Sequence, residues 1–94
     1  MKVDIKTITR SKVGEFLERQ EDRIFTVHFV KQDGTLREMN ARFIKEHTRA
    51  RYIDKGTHHN CLTVWDLQKN DFRQITLSTV SMVKAQGEVY IVTG

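Results

Sequence analysis

Apolar and polar residues alternate with period two along most of this chain, and the breaks in that alternation mark its turns. In "RIFTVHFVKQ", residues 23–32, Phe25, Val27 and Phe29 project to one side while Ile24, Thr26, His28 and Val30 project to the other. β-Branched and aromatic residues dominate, which predicts a strand. Because both of its faces are partly apolar, it is either central or covered by a helix. Asp33-Gly34 offers positive-φ turn residues, and "TLREMNARFI" (35–44) returns as the partner strand with Met39, Ala41 and Phe43 on one face. From 45 to about 60 the alternation stops. It resumes in "CLTVWDLQ" (61–68), where Thr63, Trp65 and Leu67 alternate with Leu62, Val64 and Asp66. "KND" at 69–71 is polar turn material, and "FRQITL" follows with Arg73, Ile75 and Leu77 on one side. "VSMVKA" and "VYIV" flank "QGE" at 86–88 as a last hairpin. Ahead of the strands, "SKVGEFLERQ" (11–20) places Val13, Phe16 and Leu17 on one helical face, with Ser11 as N-cap and Ile5 and Ile8 as docking partners. Gly14 weakens that helix by about 1 kcal/mol relative to alanine, so it must dock to persist. Five or six short strands, one N-terminal helix and no βαβ spacing predict a mainly β fold, a small antiparallel barrel.

Ninety-four residues form a single domain, 1–94, with the barrel over about 23–93, because so short a chain cannot fill two cores. At 38% hydrophobic and 30% charged the chain is polar, yet its apolar residues cluster into strand-sized runs and predict a folded domain. No long apolar run and no apolar leader are present, so a cytosolic location without a membrane partner is expected. The lone Cys61 cannot form an internal disulfide. The net charge of +4 is unevenly distributed: residues 31–60 carry seven Lys/Arg against four Asp/Glu, whereas 61–94 carry three of each. A localised cationic excess draws polyanions.

That excess centres on "RFIKEHTRARYIDKGTHHNC", 42–61, expected to be a basic loop over 45–60. Lys45, Arg49, Arg51 and Lys55 suit phosphate contacts, Tyr52 suits stacking on a base, and His58 and His59 add polar contacts. Arg42 and Arg37 leave their strand on opposite faces, so at most one joins this patch, and Arg42 is the nearer. The competing reading makes Tyr52 with Ile53 a hydrophobic anchor of a solvated loop. A metal site from His47, His58, His59 and Cys61 ranks third, because "HHNC" lacks the spacing of structural zinc pairs. No cofactor is implied. Enzymatic chemistry finds no support either: there is no nucleophile elbow, and the glycines are isolated at 14, 34, 56, 87 and 94. Asp66 and Asp71 read as strand-end and turn residues rather than a catalytic pair, and Trp65 reads as core.

"FVKQDGTLREMN" (29–40), followed by "VWDLQKNDFRQITLSTV" (64–80), resembles the WYL-like, Sm-like SH3 β-barrel proteins of T-even-type tailed bacteriophages. The likeness spans about 26–92 and leaves out the helix and 45–60. It implies an SH3/Sm-like barrel, a phage origin and a non-virion role in the host cytoplasm, in host takeover or counter-defence. The expectation is then a non-enzymatic accessory protein that binds nucleic acid, RNA ahead of DNA, through Arg42, Lys45, Arg49, Arg51, Tyr52, Lys55, His58 and His59. The alternative is an inhibitor docking on a host defence protein such as a toxin–antitoxin ribonuclease, with or without RNA. Sheet edges could further pair copies of the chain into a homo-oligomer.

Overall fold

The strongest alternation in the sequence becomes the middle of the sheet. A computed structural model of the protein describes residues 5–44 and 61–94. In chain order these form β1 (Ile5–Thr9), α1 (Arg10–Glu18), β2 (Phe25–Val30), β3 (Leu36–Arg42), β4 (Cys61–Asp66), β5 (Asp71–Thr76), a 3₁₀ turn (Leu77–Thr79), β6 (Val80–Ala85) and β7 (Glu88–Thr93). The strands make one sheet in the order β1-β7-β6-β2-β3-β4-β5.

Alternation decides which side chains meet inside. Phe25 and Val27 of β2, Met39 and Ala41 of β3, Leu62 and Val64 of β4, Ile75 of β5 and Val83 of β6 are all buried, with Phe43 against Phe25 at 5.8 Å between ring centroids. Each large side chain fully removed from water contributes about 1.5–3 kcal/mol. The sheet bends where β2 crosses β6: His28 pairs with Met82 but Phe29 pairs with Val80, leaving Ser81 as the extra residue of a bulge.

The predicted turns form, although at the first only Gly34 takes positive φ, 90°, and Asp33 serves through its side chain. Asp33 Oδ1 accepts from the Thr35 amide at 3.0 Å and from its hydroxyl at 2.7 Å, which closes the β2–β3 turn. Gln86 and Gly87 both take positive φ, 53° and 79°, the two-residue geometry that matches the twist of the β6–β7 hairpin. Asn70, at φ 53°, turns β4 into β5.

Helix α1 buries Val13, Gly14 and Leu17 and stacks Phe16 on Tyr90 of β7 at 4.7 Å. Arg10 Nη1 lies 2.9, 3.1 and 2.9 Å from the carbonyl oxygens of Leu77, Ser78 and Val80, tying the helix start to the 3₁₀ turn. Gln86 Nε2 donates to Gln20 Oε1 at 2.8 Å, which ties the chain just beyond the helix to the last hairpin.

Several expectations need correction. The strands number seven among the described residues, and β1 pairs in parallel with β7, Ile5 opposite Val89. "IKTIT" carries its isoleucines three apart, so it lacks the period-two signal, and its partner lies at the far end of the chain. Ile8 does pack against the core, but Ile5 is 65% exposed and is not among the described side chains packed on it. The N-cap is Thr9 rather than Ser11, without a side-chain cap bond. Leu77 falls in the 3₁₀ turn rather than on β5. Trp65 is half-buried on the outside of the sheet, because the inward positions of β4 are Leu62, Val64 and Asp66.

Candidate nucleic-acid interface

Residues directly opposite on neighbouring strands share a face, so the pairing register maps the outer surface. Arg42 stands opposite Trp65, and Trp65 opposite Phe72. The two rings meet edge to face, 4.9 Å between centroids and 84° between planes. Further across the sheet Asn40 stands opposite Thr26, and Thr26 opposite Lys84. The Thr26 hydroxyl donates to Asn40 Oδ1 at 2.6 Å, which turns the amide nitrogen of Asn40 away from that bond. His28 and Glu38 face one another on the same surface at 3.3 Å.

Arg37 and Arg42 are separated by this geometry. Arg37 points inward and donates from Nη2 to Asp66 Oδ2 at 2.8 Å. Asp66 is fully buried, and its other oxygen accepts from the amides of Gln68 at 3.0 Å and Lys69 at 3.2 Å. The charge of Arg37 is therefore matched inside the fold. Arg42 and Lys84 make no ion pair among the described residues.

Of the residues the sequence singled out, Arg42 is described and lies on the outer face. Lys45, Arg49, Arg51, Tyr52, Lys55, His58 and His59 fall outside the described residues, as does His47 of the metal alternative. Among the described residues β3 ends at Arg42, and the strand that carries Trp65 begins at Cys61. Cys61 Sγ lies 3.9 Å from the Thr76 hydroxyl. Among the described residues no three His, Cys, Asp or Glu side chains converge as metal ligands. The sequence reading passed over Asn40 and Lys84. The signal that finds them is cross-strand register, available once the hairpins around Asp33-Gly34 and Gln86-Gly87 are accepted.

A mainly β, helix-bearing single sheet of this kind is consistent with a small Sm-like or SH3-like barrel. The chain belongs to the WYL_2 family, described as WYL_2, Sm-like SH3 beta-barrel fold, whose model matches residues 15–80. That match starts and ends earlier than the likeness noticed in the sequence: it takes in part of α1 and the whole of 45–60, and it stops before β7. No curated protein and no solved structure matches the chain significantly. None of the helices among the described residues is long and apolar enough to cross a membrane.

Proposed function

We propose that this protein is a non-enzymatic accessory barrel that binds nucleic acid, RNA ahead of DNA, through the basic stretch 45–60 together with Arg42. The observation that carries this reading is the position of Arg42. It is a cation without an internal partner among the described residues, placed on the outer face beside the Trp65–Phe72 pair, at the point where the most cationic part of the sequence begins. Cations hold phosphates and an adjacent aromatic ring stacks a base. Lys45, Arg49, Arg51, Lys55, His58 and His59 supply the phosphate and polar contacts, and Tyr52 a second stacking ring. The resemblance to small phage barrels supports a phage-encoded protein acting in the host cytoplasm, in takeover or counter-defence.

The test is a titration of labelled single-stranded RNA and DNA at low salt. Changing Arg49, Arg51 and Lys55 together to alanine is expected to leave the circular dichroism spectrum intact and remove binding. An unmutated protein that shows no affinity for either nucleic acid ends the proposal.

A second reading, docking on a host defence protein such as a toxin ribonuclease, is favoured by exposed apolar side chains: Ile5 on β1, and Leu36 with its cross-strand neighbour Val30 at the β2–β3 hairpin, are 65%, 63% and 42% exposed. Shape-driven docking of that kind keeps its affinity as salt rises, whereas phosphate binding loses it.

A further inference from the structure

The outer face carries a second group of donors that the basic stretch does not include. Lys84 and Asn40 flank Thr26 on the strands to either side of it, so their backbones are about two strand spacings, roughly 10 Å, apart. Arg42 follows Asn40 on the same face, roughly 7 Å further along β3. Lys84 is exposed, and neither it nor Arg42 has an acidic partner among the described residues. The carboxamide of Asn40 is oriented by the Thr26 hydroxyl, which occupies Oδ1 and leaves the amide nitrogen as the donor. Two carboxylates lie close to the strip: Glu38 beside Asn40 is engaged with His28, and Glu88 beside Lys84 pairs with Lys6. The result is a strip that offers hydrogen-bond donors and positive charge, and it ends at the half-buried Trp65.

We infer that this strip, Lys84–Asn40–Arg42 leading to Trp65, is a track for the sugar-phosphate backbone of a single-stranded nucleic acid that crosses β6, β2 and β3 and stacks a base at Trp65. The inference rests on the nucleic-acid reading above and extends it to a second contact surface. Charge complementarity selects the occupant: a phosphodiester supplies the acceptor oxygens that an ammonium, an amide and a guanidinium require. The aromatic end selects a single strand, whose bases are free to stack.

Fluorescence anisotropy with a labelled twelve-nucleotide uridine oligonucleotide, its deoxy counterpart and an unlabelled duplex competitor tests this, with affinity measured across a salt series. Lys84→Ala is expected to weaken binding about fivefold and to reduce the slope of log affinity against log salt by about 0.7. Lys12→Ala, on the exposed side of α1, is the control and is expected to change neither. The ribo and deoxy probes report whether RNA or DNA is held more tightly on the track. Lys84→Ala binding like the parent, or Lys12→Ala matching its loss, overturns the track. In either case the wider proposal stands if the triple variant Arg49→Ala, Arg51→Ala, Lys55→Ala still loses binding. A duplex that competes as well as a single strand overturns the stacking end.

Discussion

Asp66 and Arg37 show how a single residue can be read in the right place and the wrong environment. Its position at the end of β4 is legible in "VWDLQKND", but its burial is not, because the arginine that neutralises it lies twenty-nine residues away on β3. Removing one member of such a pair leaves a buried charge without compensation, which costs on the order of 3–5 kcal/mol. Arg37→Met is therefore expected to lower the unfolding free energy by about that amount in urea titrations. The same change at Lys6, which is half-exposed and lies 3.0 Å from a Glu88 oxygen, is expected to cost less, about 1 kcal/mol. Equal losses at the two sites would contradict the assignment. Asp33 is the complementary case, a fully exposed carboxylate. The hydroxyl of Thr35, then its amide, hold the Asp33 carboxyl below 3.8. A depressed folded-state value means the turn's contribution is present above the unfolded value and is lost as pH falls through the folded one. Thr35→Val is expected to move the Asp33 titration, followed by NMR, upward toward 3.8 without reaching it, since the backbone donor remains.

At the scale of elements, helix α1 joins two opposing demands in Gly14. The missing side chain costs the helix roughly 0.8–1 kcal/mol relative to alanine. Yet a Cβ there would stand 3.0 Å from Leu77 Cδ1, so an alanine fits only if the tip of that leucine yields by a few tenths of an ångström. Gly14→Ala in the parent is expected to be nearly neutral, while the same change in a Leu77→Ala background is expected to stabilise by about 1 kcal/mol. A thermal-denaturation cycle that finds the two increments equal would refute the contact. The hairpins at Asp33-Gly34 and Gln86-Gly87 and the alternation of β2 and β3 were legible because each depends on residues close in sequence, whereas the surface α1 docks on, Leu77 to Val80 and Tyr90, was not. β1 was not either, since its partner strand β7 begins at Glu88, at the far end of the chain. Trp65 was misplaced because alternation gives two faces without saying which one is wet. The face bearing a carboxylate proved to be the buried one, because Arg37 accompanies it.

For the whole molecule, the uneven charge of the sequence acquires a direction. Arg37 and Lys6 are matched by Asp66 and Glu88, which largely cancels those two charges in the external field. Arg42 and Lys84 remain on one surface, beside the origin of the basic stretch. The expected signature is an affinity for single strands that falls linearly in log salt, with a slope of about −0.7 for each phosphate contacted. Single changes of Arg49, Arg51 or Lys55 to alanine are each expected to flatten that slope by about 0.7. How the candidate site folds beyond Arg42 was not to be read from periodicity, because the stretch 45–60 has none.

The junction between β3 and β4 has a structural consequence of its own. Among the described residues it consists of two register pairs, Ala41 with Asp66 and Arg42 with Trp65, whereas β4 and β5 share six. Among the described residues the β4–β5 hairpin is thus held less by backbone pairing than by its buried Leu62, Val64 and Ile75 side chains and by the Arg37–Asp66 pair. A change that unseats Asp66 therefore acts on the strand that carries Trp65, so the aromatic end of the track and the buried ion pair share one anchor.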